Sequence, residues 1–232
     1  MGMHINFKEL RAVRYALQSF LPLVRQRVVL VREDNTTTQA VLGRLSSRSP
    51  VMHAEMRLLW EFLQEHSIVL QVQRVASADN LADEASRMEE RDDYRVHWSY
   101  FRRLEAWFGP HDVDLFASAG NTQLPRFFSR FFCPGSSGVD ALAQPWGGLN
   151  AYGCPPADPD FLLAVVQKLR EERAAATLIV PYWPAQPWWP LLMELASRVV
   201  FLPSSTEVFT LAHRGPSCGR LPPWQVAAVR VE

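Results

Sequence analysis

From Asn6 to Phe20 the apolar positions Leu10, Val13, Ala16 and Leu17 fall on one stripe of helical period, which predicts an amphipathic helix ended by Leu21-Pro22. The β-branched run Val28 to Val31 comes next, and an unbroken apolar stretch of this kind predicts a buried parallel strand rather than a half-exposed one. Asp34, Asn35 and Thr36 supply capping side chains for a helix through Leu45. Ser46 to Pro50 reads as a polar turn, Met52 to Glu65 returns to helical period, and Ser67 to Val75 is a second strand. A turn at Ser77 to Asn80 leads into a charged helix from about Leu81 to Arg91. Helix, strand, helix, helix, strand, helix is an α/β order.

Between Glu89 and Trp107 the chain is charged and aromatic, and a domain boundary is expected there, dividing it into residues 1–95 and 96–232. Beyond it Pro, Gly and Trp become frequent. Val113 to Phe116 and Thr177 to Trp183 predict buried strands, and Pro159 to Arg173 and Trp188 to Ser197 predict helices. Further strands are expected at Arg198 to Leu202, Val208 to Ala212 and Val226 to Val231. No internal repeat and no low-complexity tract interrupts the pattern.

Composition changes this picture only at its margins. Hydrophobic residues are 48% and charged residues 21% of the 232, so the chain has the means to bury a core and lacks the signature of disorder. The formal net charge is zero, which argues against strong sequence-independent binding to a polyanion, although a local arginine stripe would escape a whole-chain count. Cys133, Cys154 and Cys218 lie far apart without the paired spacing of a zinc site, and a reducing intracellular setting, nuclear or cytoplasmic, is the expectation. No apolar run approaches the roughly 20 residues that span a bilayer. Met1 to Leu10 lacks the apolar region of a signal peptide, so a protein that is neither secreted nor membrane-bound is expected.

Three acids stand where α/β sheets gather their chemistry: Glu9 in the first helix, Asp34 just past the first strand and Asp83 in the first turn of the charged helix. Converging carboxylates bind hard divalent cations, and two such ions can activate water against a phosphodiester. A solvated surface acid or a helix cap is the ordinary role of each taken singly. Read in order, however, INFKELRAV, VREDNTTTQAVL and VASADNLADEASR resemble successive motifs of the retroelement RNase H domain, that of DIRS-type retrotransposons in particular.

That resemblance implies Mg2+ ligands and catalytic roles at Glu9, Asp34 and Asp83, supported by Asn35, Asn80, Ser86 and Arg87, over about His4 to Arg87. It implies cleavage of the RNA strand of RNA:DNA hybrids. The family places three strands, the first carrying a further aspartate, ahead of the Glu helix, whereas only Met1 to Ile5 precede it here. The expectation is therefore a truncated RNase H-like domain whose Mg2+ site is weak or absent, inactive alone. Its strand at 28–31 would keep an apolar edge for an upstream reverse transcriptase segment or a partner chain to pair with.

The second domain continues the resemblance. WFGPHDVDLFASAGNTQLPRFFSR, DALAQPWGGLNAYGCPP and ATLIVPYWPAQPWWPLL are similar to the domain that follows RNase H in DIRS-type elements, itself similar to phage Dam-like adenine methyltransferases. This implies a Rossmann-like methyltransferase-type α/β domain. Asp114, Asn121, Asp140 and Trp146 match family positions, with Asp114 and Asp140 implied to face a cofactor.

In that family an Asp/Asn-Pro-Pro-aromatic tetrapeptide accepts a hydrogen bond from adenine and stacks on the flipped base. Here the corresponding residues are Cys154-Pro155-Pro156-Ala157, so both base-binding groups are replaced, and neither methyl transfer nor use of S-adenosylmethionine is expected.

Three functions remain open on sequence: an RNase H-type hydrolase acting on RNA:DNA hybrids, a non-catalytic domesticated interaction module, and a nucleic-acid-binding protein without chemistry. The aromatic group Tyr182, Trp183, Trp188 and Trp189 lacks interleaved Lys or Arg and reads as packing rather than a stacking platform. His53, His66 and His97 stand outside any motif.

Overall fold

The computed structural model describes residues 4–80, 82, 94–211 and 224–232, and the chain they form is mixed α/β. It divides into two compact units, Met1–Glu89 and Glu90–Glu232. The charged helix expected from Leu81 to Arg91 lies, apart from Ala82, outside the described residues.

The first unit opens with helix α1 (Ile5–Ser19), whose first turn is capped by the His4 side chain, and a single turn α2 (Leu21–Val24) follows. Strand β1 (Val28–Glu33) leads to α3 (Thr36–Arg44), where the Asn35 side chain accepts from the backbone amides of Thr37 and Thr38. Leu45 closes that helix in the left-handed region at φ 53°, and α4 (Pro50–Glu65) and β2 (Val69–Arg74) complete the unit.

The core gathers Phe7, Leu10 and Leu17 of α1, Val41 and Leu42 of α3, and Met56, Leu59 and Leu63 of α4. One charge is buried with them: Glu55, 2% exposed, receives Arg14 at 2.7 Å and Arg11 at 3.2 Å, tying α4 to α1.

β1 and β2 pair in parallel from Val28↔Val69 to Glu33↔Arg74. The parallel direction is as the apolar run predicts, but its complete burial is not. Val29, Val31, Leu70 and Val72 pack on the core, while Val28, Leu30 and Val69 are 60%, 49% and 57% exposed. Among the described residues this sheet has two strands, with the helical core packed against the inward set.

The second unit begins with β3 (Tyr94–Val96) and α5 (Trp98–Phe108). The charged and aromatic stretch that reads as a boundary is thus partly regular structure, because Phe101, Leu104 and Phe108 recur at helical spacing and are buried.

There follow β4 (Val113–Asp114), β5 (Phe128–Ser129), β6 (Gly138–Val139) and β7 (Asn150–Gly153). Next are α6 (Pro159–Glu172), β8 (Ala175–Pro181), α7 (Trp188–Leu195) and β9 (Ala196–Ser204). The turn α8 (Ser205–Val208), β10 (Phe209–Leu211) and β11 (Gln225–Val231) close the chain.

Five strands make the central sheet in the order β4-β7-β8-β11-β9. β4, β7 and β8 run parallel, and β11 is antiparallel to both β8 and β9. Period-two alternation sorts each strand onto two buried faces. Ala176, Leu178, Val180, Ala227 and Val229 pack with Leu162, Val165 and Leu169 of α6 and Trp188 and Leu192 of α7. Ile179, Tyr152, Val226 and Ala228 face Phe101, Leu104 and Phe108 of α5. The helix predicted to reach Ser197 stops at Leu195, and the strand expected from Arg198 starts at Ala196, because those residues are drawn into the ladder with β11.

Leu59 is fully buried between helices of the first unit, so Leu59→Ala is expected to cost about 2–5 kcal/mol of unfolding free energy, whereas Trp60→Ala, at a half-exposed position, falls well below that. Denaturant titrations of both variants read the contrast.

Candidate functional site

The carboxyl ends of parallel strands are where open α/β sheets bind ligands. In the second unit β4 ends on Asp114 and β7 ends on Gly153, with Cys154 next, and Asp114 and Tyr152 are register partners. Around them lies a cavity of about 20 Å³ lined also by Arg95 of β3 and by Phe116 and Asn121 of the loop after β4. That is room for about one water molecule. Its closure is steric: the Phe116 ring lies against Gly153, where a Cβ would stand 3.1 Å from it, and also meets Trp146 and Phe161 edge-on.

Burial disfavours ionisation of the acid, the thiol and the phenol around the cavity. Asp114 is 3% exposed, and burial pushes its carboxyl up to about 7, opposed by hydrogen bonds from the backbone amides of Gln123, at 3.0 Å, and Phe116, and by the Arg95 charge. Burial pushes the Cys154 thiol up to about 12, with Asp114 adding to the effect, so at neutral pH it stays a thiol and a weak hydrogen-bonding group. The Tyr152 hydroxyl is buried without a hydrogen-bond partner among the described residues, and its pKa is raised well above the usual phenol by the same desolvation. Gln123 ties the loop after β4 to β3, donating to the Val96 carbonyl at 2.5 Å and accepting from Arg95.

A second polar group lies on the α5 face of the sheet. His111 Nδ1 meets the Glu105 carboxylate and Nε2 meets the Thr177 hydroxyl at 2.9 Å. Arg230 donates to Asn150 Oδ1 at 2.5 Å, and Asn150 donates to the carbonyls of Phe108 and Pro110. Acid, imidazole and hydroxyl in line have the geometry of a nucleophilic triad. Thr177 is fully buried, however, and burial is the first cause lowering the His111 pKa, so the chain of bonds satisfies groups trapped on a covered face.

The residues singled out by sequence are dispersed. Asp114 and Asn121 line the crevice, but the Asn121 side chain is engaged with the Ser118 amide at 2.7 Å and the Tyr94 carbonyl. Asp140, expected to face a cofactor, is exposed, caps the short turn Ala141–Ala143 through the Leu142 amide and is not part of the crevice wall. Trp146 is a core residue whose Nε1 donates to the Ala141 carbonyl. Trp188 and Trp189 are buried as packing residues.

In the first unit Glu9 is half-buried and bonded to the Thr38 hydroxyl at 3.2 Å, and Glu9 and Asp34 both act electrostatically on Glu33. Asp83, Ser86 and Arg87 lie outside the described residues. Among the described residues no three His, Cys, Asp or Glu groups meet to hold a metal ion.

Sequence reasoning passes over Glu33, which is 7% exposed and whose pKa is raised first by burial, then by Glu9 and Asp34. The signal was present in the alternation Val29, Val31, Glu33, which turns this acid inward. It also passes over Tyr152, which is 1% exposed on β7.

A family model described as DNA N-6-adenine-methyltransferase (Dam) matches residues 84–218, more than half of the chain. No curated protein matches it.

A carboxyl raised to about 7 in the folded state and near 3.8 when unfolded contributes stability that is complete below pH 3.8 and is lost as pH rises through 7. Asp114→Asn removes that loss. The variant is expected to exceed the parent in unfolding free energy at pH 8, with the gap closing toward pH 5. Denaturant midpoints across this range measure it, and a gap independent of pH contradicts the assignment.

Proposed function

The chain belongs to the DNA N-6-adenine-methyltransferase (Dam) family, and from that premise we propose that its second unit is a member that has given up methyl transfer, carried in a DIRS-type retroelement protein beside an RNase H-type unit that is silent on its own. The observation that carries the first part is the narrowness of the strand-end crevice, about 20 Å³ among the described residues. Small-molecule pockets begin at roughly 300 Å³. S-adenosylmethionine does not fit a space walled by Phe116 and Tyr152, and neither does an extruded adenine.

The chemistry of the walls points the same way. Adenine recognition calls for an acceptor opposite the exocyclic amino group and a ring on which the base stacks. Cys154, with its thiol held protonated, supplies a poor acceptor, and Ala157 offers no ring. Asp114, whose carboxyl accepts two backbone amides, is engaged in holding the loop after β4.

The retroelement part rests on the three ordered motifs of the first unit and is supported by the parallel β1–β2 pair with Glu9 and Asp34 disposed about Glu33 at the carboxyl end of β1. Glu9, Asp34 and Asp83 are the residues that would hold Mg2+, whose chemistry there is activation of water against a phosphodiester. Burial, and then the neighbouring charges of Glu9 and Asp34, raise the Glu33 carboxyl beside them above its usual range.

Two assays on the full chain test the proposal together. Incubation of adenine-containing DNA with labelled S-adenosylmethionine is expected to give no incorporation above a protein-free control. Incubation of an RNA:DNA hybrid with Mg2+ is expected to give the same background cleavage for the parent and for Asp34→Asn. Adenine methylation overturns the first part, and cleavage lost in Asp34→Asn overturns the second.

A further inference from the structure

Strand β9 is the edge of the central sheet opposite β4, and among the described residues β11 is its ladder partner. Their pairing is regular from Arg198↔Arg230 to Leu202↔Val226 and shifts register at either end. Along that stretch the outward N–H and C=O groups of alternate residues form an unpaired row among the described residues. Natural edges are blunted by charge, by proline or by a covering segment. Here Arg198 and Pro203 stand at the two ends, and Val199, Val200, Phe201 and Leu202 between them carry neither charge nor proline.

Apolar surface is open on both faces of this edge. Alternation turns Val200 and Leu202 toward α5, where with Tyr100, Leu104 and Trp107 they line a groove of about 200 Å³. An apolar cavity of about 150 Å³ already admits a benzene ring, so the groove has room for a branched aliphatic side chain. Trp107 is 51% exposed at its mouth. On the other face Phe201, 53% exposed, meets the Tyr182 ring edge-on at 5.1 Å, and Tyr182 is itself partly exposed.

The α5 face is also of one sign. Arg198 lies over Trp107 at 6.0 Å and over Phe108 at 5.7 Å, and Arg103 stands exposed one helical turn back from Trp107. Neither arginine is in an ion pair among the described residues. The acid of this helix, Glu105, is turned onto His111.

A partner lying on one face would leave the other face of the edge bare, whereas an added strand, whose side chains alternate between faces, covers both. We propose that β9 receives an extended peptide segment of a partner protein as a further strand of the sheet. An aliphatic side chain of that segment fills the groove, acidic side chains beside it meet Arg198 and Arg103, and the alternate, apolar side chains cover Phe201. A second copy of the chain is a poorer occupant. Antiparallel pairing of β9 with itself sets α5 beside α5 on one face and brings two Arg198 and two Arg103 together, like charges that oppose the pairing.

The test is fluorescence anisotropy of the full chain with a labelled, end-capped peptide of sequence Val-Glu-Val-Leu-Val-Glu-Val. Saturable binding below roughly 1 mM is expected. The analogue with lysine in place of both glutamates is expected to bind at least about 10-fold more weakly. In the double variant Arg103→Glu/Arg198→Glu the preference reverses in favour of the lysine peptide, a result that loss of folding does not produce. N-methylation of alternate peptide residues is expected to abolish binding when it falls on the set bonded to β9 and to spare most of it on the other set.

Amide hydrogen exchange on the unaltered chain is expected to show protection by the peptide within residues 198–202. Absence of saturable binding, an unreversed preference in the charge variant, or equal loss with both methylated sets overturns the proposal. An outward row already protected in the free monomer, or a dimer that protects it, overturns it too, giving the edge to the chain's own segment or to a second copy.

Discussion

Covering both faces of the central sheet is the constraint from which the rest of the second unit follows. Helices α6 and α7 lie on one face and α5 on the other, so polar side chains such as Thr177 and Asp114 that the alternation turns toward α5 are taken out of water. Burial of an unsatisfied polar group costs on the order of 1–3 kcal/mol, and a buried charge costs more. The solutions are visible along β7 and its neighbours. Asn150 and Thr177 are satisfied by Arg230 and His111, His111 by Glu105, and Asp114 by two backbone amides and by a strong bias toward protonation.

The same constraint decides what the crevice can do. A ligand site at the strand ends needs polar groups that are exposed, or buried but aimed into open space. Here Phe116 rests on Gly153, Tyr152 lies flat under α5 in an edge-on stack with Phe101, and the loop after β4 is drawn in by Gln123 and Asn121. The acid that a methyltransferase-like reading would offer to a cofactor has become an internal anchor of that loop. The sheet that defines the fold is held by packing and not by the site residues, so family membership does not by itself carry the family's chemistry.

Much of this architecture is legible in the residues. The 3.6-residue stripe of Leu10, Val13 and Leu17, the Asn35 cap and the apolar runs at Leu178 and Val229 each predict the element that forms, because local periodicity and burial agree there. The Val28 to Val31 run misleads on burial: composition alone does not reveal how many strands flank it, and with one described neighbour half of its side chains face outward. Helix α5 is obscured by its two exposed tryptophans and paired arginines, which imitate a linker, although Phe101, Leu104 and Phe108 keep the helical interval. The substitutions Cys154 and Ala157 are readable as losses from the motif. The closure of the cavity is not, because it depends on Phe116 resting on Gly153 across strands distant in sequence.

The central claim is that the strand-end crevice no longer accommodates the cofactor of its family. Isothermal titration of the full chain with S-adenosylmethionine at pH 7.5 measures this most directly. The account predicts no saturable heat up to about 1 mM ligand, a binding free energy weaker than about 4 kcal/mol. A one-to-one isotherm with micromolar affinity that Asp114→Asn abolishes would contradict it.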